Sequence, residues 1–193
     1  MRRPFKFAVA GTHSTGKSTF VAALKARLED EGLTVSAVHD SAADARAEGF
    51  PILANHTFES TGWLIAQAIR LETKASLAAD VIIIDRPVPD ALGYLLAAMR
   101  HQNRELERGK YERLEGLCRA WVGEYDILFI TKLDLTVPIG PGRPDDEKFR
   151  MQAARAINEI ISDMRPDAEP LPYGKSDPAI ELCVRYVRIH CSS

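Results

Sequence analysis

Eight residues near the start of the chain have the types and spacing of a loop that holds phosphate groups. Residues Gly11–Ser18 match G-x-x-x-x-G-K-[ST] at every fixed position. Glycine lets backbone N–H groups approach phosphate oxygens without a Cβ in the way, and a following helix N-terminus favours negative charge. In such a loop Lys17 contacts the β- and γ-phosphates, and the Ser18 hydroxyl binds Mg²⁺. The motif therefore predicts a site for a magnesium-bound nucleoside triphosphate.

The candidate nucleotide-binding residues lie in this loop and the first turn of the helix behind it. They are Gly11, His13, Ser14, Thr15, Gly16, Lys17, Ser18 and Thr19, with Thr19 expected near the α-phosphate. The alternative is a glycine-rich turn without a ligand. A predicted strand before the loop and a predicted helix after it favour the phosphate site.

Two acidic residues follow predicted strands and could take part in phosphoryl transfer. Asp85 closes the apolar run Val81–Asp85, where a carboxylate would hold the Mg²⁺ near Ser18. A turn or helix-capping aspartate before Pro87 is the alternative. Arg86 comes next and could pair with a substrate phosphate or carboxylate, or carry a solvated charge at the sheet edge.

Asp40 follows the second predicted strand and is the candidate general base. In a parallel sheet it opens toward the same edge as the phosphate loop, where its carboxylate could take a proton from an acceptor hydroxyl. A helix-capping turn before Ala42 is equally consistent with the local sequence. Asp90 and Gln67 are further candidates for substrate contact; a helix cap and a solvated helix face are their respective alternatives.

The segment 135–150 is predicted to form a lid-like loop that leads into a helix. Its proline- and glycine-rich part contains Arg143, which could close over the transferring phosphoryl group and stabilise developing charge. Arg150 lies in the helix. For Arg150 a surface pair with Asp146, at i, i+4 spacing, is the favoured interpretation.

These residues need a scaffold in which strands alternate with helices. Apolar runs predict four strands, at residues 5–10, 33–38, 81–85 and 126–130. Helical spacing predicts helices at about 18–31, 57–78, 90–100, 106–123, 147–164 and 178–189. This order indicates a three-layer α/β/α fold with a parallel sheet.

Composition limits the classes of protein and partner. The 193 residues, 46% hydrophobic, suit one domain spanning 1–193, and a net charge of −2 gives no general attraction to nucleic acid. No apolar stretch approaches the roughly 20 residues that a membrane span needs. The three cysteines lack metal-ligand spacing and are read as reduced thiols, so we predict a cytoplasmic protein.

Taken together, these segments resemble the P-loop small-molecule kinases of nucleotide-kinase type, especially AAA-domain proteins similar to ribosylnicotinamide kinase. Besides the phosphate loop, the matching segments are Asp40 with Ala45-Arg46, Asp85-Arg86, and Gly142-Arg143 followed by Asp146 and Phe149-Arg150. Deoxynucleoside kinases also have an acidic residue and an arginine after the third strand. The resemblance implies a five-stranded parallel sheet, ATP as donor, a nucleoside-like acceptor bound by helices after strands two and three, and a lid.

Two other functions are consistent with a phosphate loop. Residues 131–134, TKLD, look like the guanine-specificity signature of GTPases, although Val88 stands where such switches have glycine three residues after Asp85. The second alternative function is that of a regulator that hydrolyses a nucleotide and acts through a partner. We predict instead a Mg²⁺-dependent kinase, monomer or homodimer, that phosphorylates a hydroxyl or a phosphate of a nucleoside- or nucleotide-like small molecule. Lys17, Asp40 and Arg143 are expected to act in catalysis.

Overall fold

Five parallel strands form the central sheet in the computed structural model, which describes residues 3–137, 139 and 146–191. The strands are β1 (Phe5–Ala10), β2 (Val35–Val38), β3 (Val81–Asp85), β4 (Ile127–Thr131) and β5 (Glu169–Leu171), in the order β2-β3-β1-β4-β5. β1 pairs with β3 from Phe5 opposite Val81 to Val9 opposite Asp85. The predicted parallel α/β fold is confirmed.

Helices cover both faces of this sheet. Within the described residues they are α1 (Lys17–Asp30), α2 (Ala42–Ala47), α3 (Phe58–Ala75), α4 (Val88–His101), α5 (Arg108–Val122), α6 (Glu147–Met164) and α7 (Asp177–Cys191). Residues of α1 and α7 pack on one face of the sheet, and residues of α4 and α6 pack on the other. In the part of the chain described, no helix combines the length and apolarity that crossing a membrane requires.

The middle of the sheet is buried because its strands are apolar on both sides. All five residues of β3 are buried, and Phe7 of β1 and Phe129 of β4 contribute to the core beneath α1. A parallel strand that is covered on both faces has no solvent-facing side, so its sequence shows no polar alternation. β1 and β3 end side by side, with Val9 opposite Asp85, so both strands lead to the same edge of the sheet.

Local capping sets the starts of α3 and α6. Thr57 and Ser60 form a capping box, each side chain accepting the other residue's backbone N–H, and α3 begins at Phe58. Asp146 accepts the Phe149 N–H at 2.8 Å and begins α6. Asp146 therefore caps α6.

Besides a 3₁₀ turn at Leu53–Asn55, the sequence pattern did not predict α2 and β5. α2 has six residues, of which only Ala45 is buried, so it has no hydrophobic periodicity to detect. β5 has three residues and lies at the sheet edge, between the helices predicted at 147–164 and 178–189. Pro170 is compatible with an edge strand because one side of such a strand needs no N–H donor. β5 completes the five strands that the family resemblance implied.

A buried polar network ties α3 to the strands and to the start of α4. The Glu72 carboxylate accepts from Trp121 Nε1 at 2.8 Å and from the Tyr125 hydroxyl at 2.9 Å, with Lys6 Nζ 3.5 Å away. The Tyr125 oxygen in turn accepts the Val88 N–H at 3.0 Å. Burial raises the pKa of Glu72, against the effect of its hydrogen-bond donors and Lys6.

Candidate active site

The phosphate loop joins β1 to α1 and has a left-handed backbone at both motif glycines. Gly11 has φ 134° and Gly16 φ 86°. A Cβ added to Gly11 would lie 1.9 Å from Oγ1 of Thr131, at the end of β4. That hydroxyl donates to the Ala10 carbonyl at 3.1 Å and lies 2.8 Å from the Thr15 hydroxyl. The end of β4 therefore anchors the loop and leaves no room for a side chain at Gly11.

Lys17 is 5% exposed and lies against the loop that precedes it. Its Nζ donates to the Thr12 carbonyl at 2.5 Å and lies 3.4 Å from Oγ1 of Thr15. Burial and, after it, the charge of Arg86 together lower the pKa of Lys17 to about 7, while nearby carboxylates oppose the change. A phosphate anion in the loop would favour the charged ammonium and offset this desolvation.

Ser18 and Asp85 are brought together as the sequence predicted. Ser18 Oγ donates to Asp85 Oδ2 at 2.9 Å, and Asp85 is buried. Its second oxygen, Oδ1, is buried and has no hydrogen-bond partner among the described residues. An unpartnered carboxylate oxygen beside a hydroxyl fits Mg²⁺, which prefers oxygen ligands. Because the described residues contain no cluster of three acidic, histidine or cysteine ligands, phosphate and water would have to complete the metal's shell.

Arg86 connects the phosphate loop with Asp40. Its Nε donates to Asp40 Oδ2 at 2.7 Å, and its Nη1 donates to the Gly11 carbonyl and the Tyr94 hydroxyl, each at 3.0 Å. Arg86 has φ 73°, an unfavourable conformation for a residue with a Cβ. Non-glycine residues persist in such a conformation where the surrounding contacts hold them, often at functional sites. Arg86 is thus held by internal partners with 13% of its side chain exposed, and its contact with a substrate stays a prediction.

Asp40 makes the turn contact that the sequence offered as the alternative to a base, and it also pairs with Arg86. Its Oδ1 accepts the Ala42 N–H at 2.8 Å in the turn before α2, and its Oδ2 accepts from Arg86. Burial opposes the ionised carboxylate, but the charge of Arg86 and the Ala42 N–H outweigh it and lower the pKa of Asp40. Asp40 is therefore ionised at neutral pH. Its role as a base stays a prediction.

Asp90 lies in the first turn of α4 and contacts the phosphate loop. Its Oδ2 accepts the Gly11 N–H at 3.1 Å and lies 3.6 Å from Arg86 Nη1. Its Oδ1 is buried without a hydrogen-bond partner within the described residues. Burial raises the pKa of Asp90 to about 7, against the charges of Arg86 and Lys17. A substrate contact through Oδ1 stays a prediction.

A cavity of about 340 Å³ lies beside Asp40 and Arg86, between α2, α3 and α4. Its apolar lining includes Val38, Ile52, Leu53, Leu64, Ala68, Val88 and Ala91. His56 stacks on Tyr94 with 5.6 Å between ring centroids and 22° between planes. Burial lowers the pKa of His56 to about 4, although its bond to the Leu53 carbonyl opposes this. His56 is therefore neutral at pH 7. We call this space the acceptor cavity, after the role that we propose for it.

A second cavity, of about 420 Å³, is lined by residues 13–19 of the phosphate loop and by Asp85. We call it the phosphate cavity. The two cavities share four lining residues, His13, His39, Asp40 and Arg86. The predicted residues Asp40 and Arg86 therefore stand where the two spaces meet.

The structure does not bring every predicted site residue to the cavities. Gln67 does not line either of them; its Oε1 accepts from Arg70 Nε at 2.8 Å, while Leu64 and Ala68 of the same helix face the acceptor cavity. Part of the lid-like segment, residues 138 and 140–145 with Arg143 among them, lies outside the described residues. Asp134, in the segment 131–134 that looks like a guanine-specificity signature, accepts hydrogen bonds from the N–H and the hydroxyl of Thr136. These bonds form a local turn.

Sequence reasoning was wrong about Arg150 and did not find Tyr94 or His56. Arg150 is 2% exposed and donates to carbonyls of the phosphate loop, so it does not form the surface pair with Asp146. Tyr94 follows Asp90 by four residues on α4, a spacing that places both on one helix face and could have found it. His56 precedes α3 and had no comparable signal.

A family model described as "AAA domain" matches residues 6–170, which is most of the chain. The chain belongs to this AAA-domain family. The family resemblance seen in the sequence is thereby confirmed. No curated protein has a matching sequence.

Solved structures with the same fold include several nucleotide-binding proteins. "NadR protein in complex with NR" aligns over 95% of this chain with a TM-score of 0.70 and 13% identity. The chain spans about half of the NadR chains that it matches, 51% and 49%. Thymidylate kinase from Candida albicans (TM-score 0.65, 14% identity) and deoxyadenosine kinase from M. mycoides with bound dATP (0.65, 16%) align over 97% and 95% of this chain. The alignments cover 92% and 100% of those two kinases. At these identities the likeness establishes the fold.

Proposed function

We propose that this protein is a kinase that transfers the γ-phosphoryl group of magnesium-bound ATP to a hydroxyl group of a neutral, nucleoside-sized molecule. The observation that carries this proposal is the junction of the two cavities at His13, His39, Asp40 and Arg86. A transfer reaction needs donor and acceptor spaces that meet at a base, whereas a hydrolase needs only water at the phosphate.

The phosphate cavity supplies the groups that hold the donor. Backbone N–H groups of the loop and the N-terminus of α1 favour the binding of phosphate anions. The Lys17 ammonium would add an ionic contact with the γ-phosphoryl group. Ser18 and Asp85 would hold Mg²⁺, which neutralises charge on the β- and γ-phosphates when it is bound. The unpartnered Asp85 Oδ1 supports this assignment.

Asp40 is the group we assign to the acceptor hydroxyl. It is ionised at neutral pH, lines both cavities and is held by Arg86 at 2.7 Å. A carboxylate in this position would accept the hydroxyl proton and align the oxygen with the phosphorus atom. A lowered pKa makes Asp40 a weak base, so its main contribution would be orientation.

The charges of the acceptor cavity favour a neutral acceptor over a phosphate ester. Arg86 already binds Asp40 and lies 3.6 Å from Asp90, so its charge is balanced. Arg46, which is exposed, is the other arginine among the residues that line the cavity. A phosphate dianion needs unpaired cations or several donors, and this described lining offers few. The stacked His56–Tyr94 pair and the apolar wall suit a planar, uncharged group.

The lid-like segment 135–150 and its Arg143 complete the proposal. A lid that closes over the junction of the cavities would exclude water and favour transfer to the acceptor over hydrolysis. We assign Arg143 to the charge that develops on the transferring phosphoryl group.

The test is phosphate transfer from labelled ATP and labelled GTP, with Mg²⁺, to nucleosides, nucleoside monophosphates, nicotinamide riboside and other hydroxyl metabolites. We expect labelled product from ATP with a neutral hydroxyl acceptor. Transfer only to monophosphates would overturn the assignment of the acceptor. Phosphate release that does not depend on any acceptor, with GTP preferred, would instead support the switch that residues 131–134 suggest.

A further inference from the structure

Arg150 is a buried arginine that binds the phosphate loop through backbone carbonyls. It lies near the start of α6 and is 2% exposed. Its Nη2 donates to the Ser14 carbonyl at 2.9 Å, and its Nε donates to the His13 carbonyl at 3.3 Å. No carboxylate forms an ion pair with it within residues 3–137 and 146–191. A guanidinium so buried usually has an anionic partner, so this position calls for a specific explanation.

The geometry of the peptide bond connects these two contacts to phosphate binding. The described peptide bonds are trans, and in a trans peptide the C=O of one residue and the N–H of the next point in opposite directions. When Arg150 holds the carbonyls of His13 and Ser14, the N–H groups of Ser14 and Thr15 are turned away from the guanidinium. Ser14 and Thr15 both line the phosphate cavity.

The backbone of this part of the loop is strained, so it needs an external restraint. Ser14 has φ 54°, a left-handed conformation that is unfavourable for a residue with a side chain. Such residues keep their conformation when surrounding contacts hold it. Arg150 provides two of these contacts, on the opposite side of the loop from its N–H groups.

α6 is held firmly enough to act as this restraint. A Cβ on Gly93 of α4 would lie 2.9 Å from the Ile157 Cα of α6, so the two helices approach closely. Next to Arg150, the Phe149 ring lies 5.5 Å from the His101 ring and 6.2 Å from the Tyr94 ring. These contacts fix the start of α6 against the helix that lines the acceptor cavity.

We propose that Arg150 is a positioning residue that holds the phosphate loop in its anion-binding conformation by fixing the carbonyls of His13 and Ser14. The inference rests on the proposed function only in that the loop binds the nucleotide's phosphates. It requires no knowledge of the acceptor. Arg150 acts through the backbone of the loop and is distinct from the lid arginine assigned above.

The experiment measures equilibrium binding of a fluorescent N-methylanthraniloyl derivative of ATP to the full chain with Mg²⁺, and its displacement by tripolyphosphate. We expect Arg150→Met to weaken both by at least about tenfold, because two charge-assisted bonds to the loop are lost. Arg150→Gln, which keeps one donor group, should be intermediate. Arg155→Met, an exposed position on the same helix, should bind as the unaltered protein does.

The outcomes separate this inference from the proposed function. Circular dichroism and thermal unfolding verify that each variant is folded; if Arg150→Met is not, the comparison uses Arg150→Gln. Binding by a folded Arg150 variant that equals the unaltered protein would overturn the inference alone. If the unaltered protein binds neither probe, the proposed function fails and the inference fails with it. A variant that loses the ATP derivative but keeps tripolyphosphate would also contradict it, because the loop contacts phosphate.

Discussion

Replacing Gly11 with alanine tests whether β4 anchors the phosphate loop. The new Cβ would lie 1.9 Å from Oγ1 of Thr131. The Thr131 side chain is short and buried, and it cannot move away without losing its contacts with Ala10 and Thr15. The backbone at φ 134° adds strain of roughly 1–3 kcal/mol, and the overpacking adds a similar amount, roughly 1–3 kcal/mol. We expect Gly11→Ala to lower the free energy of unfolding by about 2–6 kcal/mol.

A double-mutant cycle separates the clash from the strain. Thr131→Ala alone removes the hydroxyl and its two contacts, at a cost of roughly 1–3 kcal/mol. In the double variant the Thr131 hydroxyl is absent and cannot collide with the new Cβ of residue 11. The double variant should therefore lose about 1–3 kcal/mol less free energy of unfolding than the two single variants lose when their losses are added. Urea denaturation followed by circular dichroism gives the free energies of unfolding of the unaltered protein, the two single variants and the double variant.

Gly49→Ala is the matched control, because Gly49 has φ 88° but nothing within 4 Å of an added Cβ. It should lose only the strain, roughly 1–2 kcal/mol, and show no coupling to Thr131. Additivity in the Gly11 cycle, within about 0.5 kcal/mol, would refute the claim that the Thr131 hydroxyl confines the loop.

Three further predictions address charge, chemistry and packing. Because the pKa of Lys17 is lowered to about 7 and bound phosphates would raise it, nucleotide binding should take up a proton above pH 7 and weaken as pH rises. Calorimetry in buffers of different ionisation enthalpy measures this proton uptake. Lys17→Ala should abolish phosphate transfer with the fold intact. If that variant still took up the proton on binding nucleotide, Lys17 would not be the group that is protonated. Asp40→Asn should reduce the rate of transfer far more than ATP affinity, and an unchanged single-turnover rate would remove Asp40 from the acceptor site. Gly93→Ala should destabilise the fold by about 1–3 kcal/mol through its contact with Ile157. The control Gly116→Ala, in open space on α5, should stabilise the fold by about 0.5–1 kcal/mol. Thermal unfolding compares the two variants, and equal effects would contradict the close approach of α4 and α6.

The sequence was sufficient for the features that depend on local pattern. The phosphate loop has four fixed positions in a strand-to-helix context, and the central strand Val81–Asp85 is an unbroken apolar run. The contact between Ser18 and Asp85 was predicted because both lie at the same edge of a parallel sheet. The pairing of Asp40 with Arg86 was not predicted, although their placement at one edge was.

Features set by tertiary contact could not be read in this way. The sequence around Arg150 has the spacing of a surface ion pair, and only the packing of α6 against α4 shows that its side chain is buried. His56 lies in a connection before α3 and reaches the acceptor cavity because a 3₁₀ turn at Leu53–Asn55 directs the chain there. Neither position has a periodicity or a motif that would reveal its neighbours.

The buried network around Glu72 has a consequence for the exchange of segments between proteins of this fold. Its partners Trp121 and Tyr125 lie about fifty positions further along the chain, and Tyr125 also holds the first N–H of α4. A chimera whose α3 lacks Glu72 would leave the half-buried Trp121 N–H and the buried Tyr125 hydroxyl without their acceptor, and the buried one alone would cost roughly 1–3 kcal/mol. The acceptor cavity is therefore not a modular insert: a transferable unit would have to run from α3 at least to Tyr125 and include a partner for Lys6.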